Sequence, residues 1–154
     1  MRNQCSHRSQ RGFSTIELVV VLILMGILAA IALPRLSGGG FDDRGFRDQL
    51  VAALRYAQKS AVAARITVCA GFTLSPSTVT FQRAAQGASN CSGGVALEGP
   101  DGNPLVLSSK SSAAFAALPP DIVFDSAGRP LTGAASIVVG TLSLSVEAET
   151  GYVH

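Results

Sequence analysis

From Leu18 to Leu33 the chain carries no charged or strongly polar side chain, and this run stands directly behind Arg11-Gly12-Phe13-Ser14-Thr15-Ile16-Glu17. At about 1.5 Å per helical residue, Phe13 to Leu33 spans roughly 30 Å, the thickness of a bilayer's hydrocarbon core. A membrane-crossing helix is the expected solution, closed by Pro34 just past its end. One acid, Glu17, sits near its start. A carboxylate in a membrane helix is costly, about 2.5–3.5 kcal/mol at the helix centre on insertion scales and less nearer the interface. Its presence needs a reason that a plain anchor does not supply.

A secretory signal places its apolar region before the cleavage site and discards it. Here residues 1–12 hold no apolar run, only Arg2, Arg8, Arg11 and polar neighbours. Cleavage after Gly12 would keep the hydrophobic helix, and the basic leader would stay cytoplasmic with the C-terminal part outside. The alternatives are an uncleaved signal-anchor, or a plain signal peptide cut near Ala30 to Ala32. The string Gly12-Phe13-Ser14-Thr15-Ile16-Glu17-Leu18 resembles the prepilin signal of type IV pilins and type II secretion pseudopilins. The resemblance implies cleavage between Gly12 and Phe13 by a prepilin peptidase and N-methylation of Phe13. It also gives Glu17 a partner, the N-terminal amine of a neighbouring subunit.

Losing residues 1–12 removes three arginines and no acids, so twelve basic residues fall to nine against ten acids, a formal net of −1. The basic balance of the whole chain therefore belongs to the leader. A protein built to bind a phosphate backbone shows a basic excess or patch, and this composition has none. Cys5 leaves with the leader, and Cys69 and Cys91 remain as an even pair in an oxidising compartment. They are expected to form a disulfide; the alternative is two unpaired buried thiols. With His7 in the leader and His154 at the last position, two cysteines make no zinc site. No cofactor or catalytic constellation is expected, since one histidine and scattered carboxylates offer no nucleophile–base pair. An enzyme is not the expected reading.

Beyond Ser37-Gly38-Gly39-Gly40, a flexible interruption, Asp42 or Asp43 is expected to cap a second helix. Phe46, Leu50, Leu54, Ala57 and Ala61 recur at helical spacing as one apolar stripe. Arg47, Arg55, Gln58, Lys59 and Arg65 lie mostly off that stripe. They read as a solvated face, or alternatively as a lipid-headgroup or partner surface. From Ile66 the period becomes strand-like: Ile66 to Leu74 and Thr78 to Phe81 read as a hairpin across Ser75-Pro76-Ser77. Residues 84–94 read as a loop tied back by Cys91. Pro104 to Leu107 and Asp121 to Asp125 are weaker strands, and 137–154 reads as a small antiparallel meander turning at Gly140-Thr141 and Glu149-Thr150-Gly151.

Phe124-Asp125-Ser126-Ala127-Gly128-Arg129-Pro130 with Thr150-Gly151-Tyr152-Val153 resembles the C-terminal domain of GspH/FimT-type minor pilins. The stretch from Phe41-Asp42-Asp43-Arg44-Gly45-Phe46 through Tyr56-Ala57-Gln58-Lys59 resembles more specifically a minor pilin of mannose-sensitive haemagglutinin (MSHA) pili. Arg129 reads as part of a turn before a strand rather than as a ligand group. The expected fold is α+β, a long N-terminal transmembrane-amphipathic helix packed against a C-terminal antiparallel sheet domain. Its parts are a cleaved leader at 1–12, a transmembrane and assembly helix at 13–35, an amphipathic helix with a glycine-rich junction at 36–65, and a periplasmic β-rich domain at 66–154. The resemblance implies a Gram-negative inner membrane and its lipid as the first location. It implies other pilin or pseudopilin subunits and an inner-membrane assembly platform as partners. The filament it implies is an MSHA-like type IV pilus or a type II secretion pseudopilus. DNA capture of the FimT kind needs a basic C-terminal region, whereas this chain has Glu147 and Glu149 there, so nucleic acid is not an expected partner.

Overall fold

The computed structural model describes residues 13–36, 40–109 and 113–154, with side chains described through residue 31 in the first segment. Two compact units divide the chain, Met1–Gly38 and Gly39–His154. The first unit holds one helix, α1 (Thr15–Leu36). Its described apolar side chains, from Ile16 to Ile31, are all exposed within the chain. The helix backbone passes through Pro34 to Leu36, further than the expected stop at the proline. A proline in the last turn removes only one helical hydrogen bond there, and the turn tolerates the loss.

The second unit opens with α2 (Gly40–Ala64). The helix begins before Asp42 and Asp43, so these acids stand in its first turn rather than at the cap, where they meet the positive end of the helix dipole. The expected stripe of Phe46, Leu50, Leu54, Ala57 and Ala61 is buried, and Ala53 joins it. The end of α2 is closed by backbone alone. Arg65 adopts the left-handed conformation at φ 53°, while Ile66 N–H donates to Ala61 O at 3.1 Å and Arg65 N–H to Val62 O at 3.4 Å. This paired closure is a Schellman ending with arginine where glycine is commonest.

Strands β1 (Val68–Leu74) and β2 (Ser77–Arg83) form the expected hairpin, in register from Val68 opposite Arg83 to Leu74 opposite Ser77. Its turn is Ser75-Pro76, one residue shorter than the sequence suggested. The outer edge of β2 takes β3 (Val95–Ala96) at one end and β4 (Val106–Ser108) at the other, and β5 (Ile122–Phe124) pairs with β1. A separate two-stranded sheet joins β6 (Ala135–Val139) to β7 (Leu142–Val146). The chain end adds a third line, with mutual backbone bonds between Ser145 and His154 at 2.8 and 2.9 Å. Alternation along β1, β6 and β7 sends one face inward, as period-two strands require. α2 packs against β1 and β5 of one sheet and β6 and β7 of the other. One helical stripe thus seals both sheets.

The core contains one element that the sequence reading left out. Phe115 is buried, its backbone bridges Val139, and its ring lies 5.6 Å from those of both Phe46 and Phe72. It extends the small sheet by a single bridge, too short for any alternation to announce it.

Candidate functional site

The start of α1 is the first region to weigh. Leu18 N–H donates to Ser14 O at 3.1 Å, closing the first turn. Glu17 belongs to that turn, where the helix dipole favours an acid. Phe13 precedes the helix and is 82% exposed. Phe13, Glu17, Leu18, Val21 and Leu22 line one hollow of about 300 Å³, because residues four and eight or nine apart share a helix face. Glu17 is the only ionisable group in that lining, so a cation brought to this face has one place to go. Gly12, the other residue of the expected scissile bond, lies outside the described residues. Among the described residues no helix is long and apolar enough to cross a membrane.

In the second unit Cys69 on β1 and Cys91 in the 84–94 loop form a disulfide, with a Cα separation of 6.1 Å across 22 positions. A closed loop of that length stabilises the folded state by roughly 3 kcal/mol in the chain-entropy account. Among the described residues no group of three or more His, Cys, Asp or Glu side chains could hold a metal ion.

The polar side of α2 divides: Lys59 and Arg65 are exposed, as the solvated-face reading expects, whereas Arg47, Arg55 and Gln58 depart from both readings. Arg47 Nε donates to Ser143 O at 3.1 Å, and Arg55 donates to Val153 O from Nε at 3.1 Å and from Nη2 at 2.7 Å. Gln58 Nε2 donates to Gly128 O at 3.0 Å and to Thr150 O at 2.8 Å. The Tyr56 hydroxyl donates to Glu98 O at 2.9 Å. These side chains are neither a solvated face nor a free docking surface. They satisfy backbone carbonyls on β7, at Glu98, in the 125–130 turn and near the chain end, and so they fix these segments to the helix. Periodicity alone could not show this, because the acceptors are backbone atoms far along the chain.

Arg129 belongs to its turn, as expected. Its Nε and Nη2 donate to Asp125 Oδ2 at 3.2 and 3.1 Å, and the backbone N–H groups of Ala127 and Arg129 donate to Asp125 Oδ1 at 2.8 Å each. Partial burial pushes the Asp125 carboxyl up, but these N–H donors and the Arg129 charge together outweigh it and hold it below the usual carboxylate value. Asp101, in the 98–104 turn, is also lowered, first by the Asn103 side chain and then by its backbone N–H.

With the fold and the geometry in hand, three likenesses to known proteins can be set beside them. Residues 7–33 match the prokaryotic N-terminal methylation motif. The chain is 43% identical over 44 residues to the type II secretion system core protein G of Klebsiella michiganensis, a match that covers 29% of this chain and 30% of that protein's length. The fold matches the crystal structure of the Pseudomonas aeruginosa type IV minor pilin FimU with a TM-score of 0.52 and 15% identity, over 72% of this chain and 85% of that one. The chain therefore has a pilin-like α+β fold behind a type IV pilin methylation signal.

Proposed function

We propose that the protein is a minor pilin or pseudopilin, a structural subunit of a filament rather than an enzyme. In this reading a prepilin peptidase cuts between Gly12 and Phe13 and methylates the new amine of Phe13. The subunit waits in the inner membrane on the apolar run that reaches Leu33, with residues 66–154 on the periplasmic side, and an inner-membrane assembly platform then moves it into the filament. Glu17 is the assembly group. Among lipid tails its carboxylate would be isolated, and the charged amine of a neighbour's Phe13 relieves that isolation where a low dielectric strengthens attraction.

The observation that carries this reading is the methylation motif at residues 7–33 on a chain whose fold matches a minor pilin. We favour a type IV pilus, MSHA-like by the Phe41–Lys59 stretch, over a secretion pseudopilus. The test is to shear surface filaments from cells carrying the intact gene set and probe them for the chain. Recovery of the leaderless chain with type IV pili supports the reading. Recovery of it only in cells with an intact type II secretion machine, and never with pili, moves it to the pseudopilus.

A further inference from the structure

Val68, Ala70 and Phe81 are buried, and Cys69 and Gln82 alternate with them along β1 and β2. The Cys69 and Gln82 side chains therefore point to the other face of the hairpin. The loop after β2 folds back over that face, where its Asn90 and Cys91 line one hollow with Cys69, Gly71 and Gln82. The Cys69–Cys91 disulfide ties it there. Little else does. No side chain from 85 to 94 is buried, and none belongs to the hydrophobic core. Among the described residues one hydrogen bond crosses from 85–93 to the rest of the unit, the Thr67 hydroxyl donating to Ala88 O at 2.6 Å. The others close on the loop itself. Ala88 N–H donates to Ala85 O at 3.0 Å, Ser92 N–H to Asn90 Oδ1 at 3.0 Å and Gly94 N–H to Cys91 O at 2.9 Å. Cys91 Sγ lies 3.5 Å from Gln82 O, but a disulfide sulfur has no proton to donate.

The two ends of this segment are able to turn. Gly87 and Gly93 have φ of +83° and +71°, a region that glycine enters without strain, and nothing lies within 4 Å of a Cβ at either. Gly94 is the fixed root: a Cβ there would overlap Arg83 O, so the chain is pinned to β2 just before β3 begins. A segment without core contacts, hinged at both ends, is the kind that opens locally while the rest stays folded. Both cysteines are only partly buried, so a small thiol can reach the bond. We propose that residues 87–93 are a redox-controlled flap, held shut over the outer face of the hairpin by the disulfide and opened by a dithiol. One thiolate of the dithiol attacks one sulfur of the bond, and the other cysteine leaves as a thiolate and takes up a proton. The second thiol of the dithiol then displaces the attacked cysteine. The dithiol ends oxidised to a disulfide and the protein ends with two thiols.

The experiment uses the full chain carrying Cys5→Ser, isotopically labelled, in detergent micelles without denaturant, with dithiothreitol as the probe. The bond should be reduced under these native conditions. Backbone order parameters at residues 88–92 should then fall below about 0.6, while those of β1 and β2 stay near about 0.85. Amide hydrogen exchange in the β1–β2 ladder should remain slow. The melting temperature falls, since the unfolded chain loses a restraint, but below it the core is unchanged. Thr67→Val, which removes the one crossing hydrogen bond, should lower the flap's order parameters further in the reduced protein only. Cys69→Ser combined with Cys91→Ser should reproduce the open state without reductant. A bond that dithiothreitol reaches only once the fold melts, or a flap still ordered after the bond is cut, would overturn the proposal. So would loss of slow exchange in the ladder together with the flap, or a serine pair that fails to fold, since either would make the bond a staple of the core.

Discussion

Under the proposed function, Glu17 is the residue that separates an assembly helix from a simple anchor. Removing its charge lowers the cost of placing the helix among lipid tails, so Glu17→Leu should insert at least as well as the parent chain and be cut normally. The same change removes the group that answers a neighbour's amine, so the variant should enter filaments poorly. Glu17→Asp should fall between, because its shorter side chain keeps the charge but reaches less far. The measure is the fraction of processed subunit in sheared filaments, and equal incorporation of Glu17→Leu would leave the acid without this role. Asp125 makes a residue-scale prediction about pH. Its folded-state carboxyl is lowered by its N–H donors and Arg129 against partial burial. It therefore contributes stability that is fully present above the unfolded carboxylate value, about 3.9, and is lost as pH falls through the lower folded value. Asp125→Asn should be less stable than the parent at pH 7, and the gap should close below about pH 4. A gap that stayed constant in melting temperature across that range would assign the effect to shape rather than charge.

At the scale of elements, the unit at 39–154 is held at its far end by the junction of α2, the 125–130 turn and the final turn. Gly151 sits there at φ +67°, and an added Cβ would overlap Gly128 O and crowd Gln58 Nε2. Gly133 has a similar φ of +78° with nothing within 4 Å of such a Cβ. Gly133→Ala should cost only the backbone strain, about 1 kcal/mol. Gly151→Ala should cost at least about 2 kcal/mol more, since two backbone segments must part and Gln58 loses its geometry. Denaturant unfolding of the two variants checks this, and equal losses would mean that the junction yields easily. The elements that could be read from sequence were those with a local period. The α2 stripe from Phe46 to Ala61 and the alternation of Leu142, Leu144 and Val146 state their buried faces directly. The β1–β2 hairpin was legible from its turn residues. Phe115, β3 and the carbonyl-binding roles of Arg47, Arg55 and Gln58 were not, because each depends on a partner elsewhere in the chain and on one or two bridges or bonds rather than a repeat.

For the whole molecule, the proposed function requires a hydrophobic helix kept after processing, ahead of a unit with a pilin-like fold. The sequence placed both parts, since the apolar run and the acid at Glu17 lie in one continuous stretch, and the match of residues 7–33 to the methylation motif agrees with that placement. Everything proposed about assembly follows from one covalent event, because only a cut after Gly12 both removes the leader and leaves the helix with a new charged end. The direct measurement is the intact mass and N-terminal sequence of the protein recovered from membranes of cells with a working prepilin peptidase. The account predicts a chain that begins at N-methylated Phe13 and retains every residue after it. A chain with the leader still attached, or one that begins near Ala32, would contradict it.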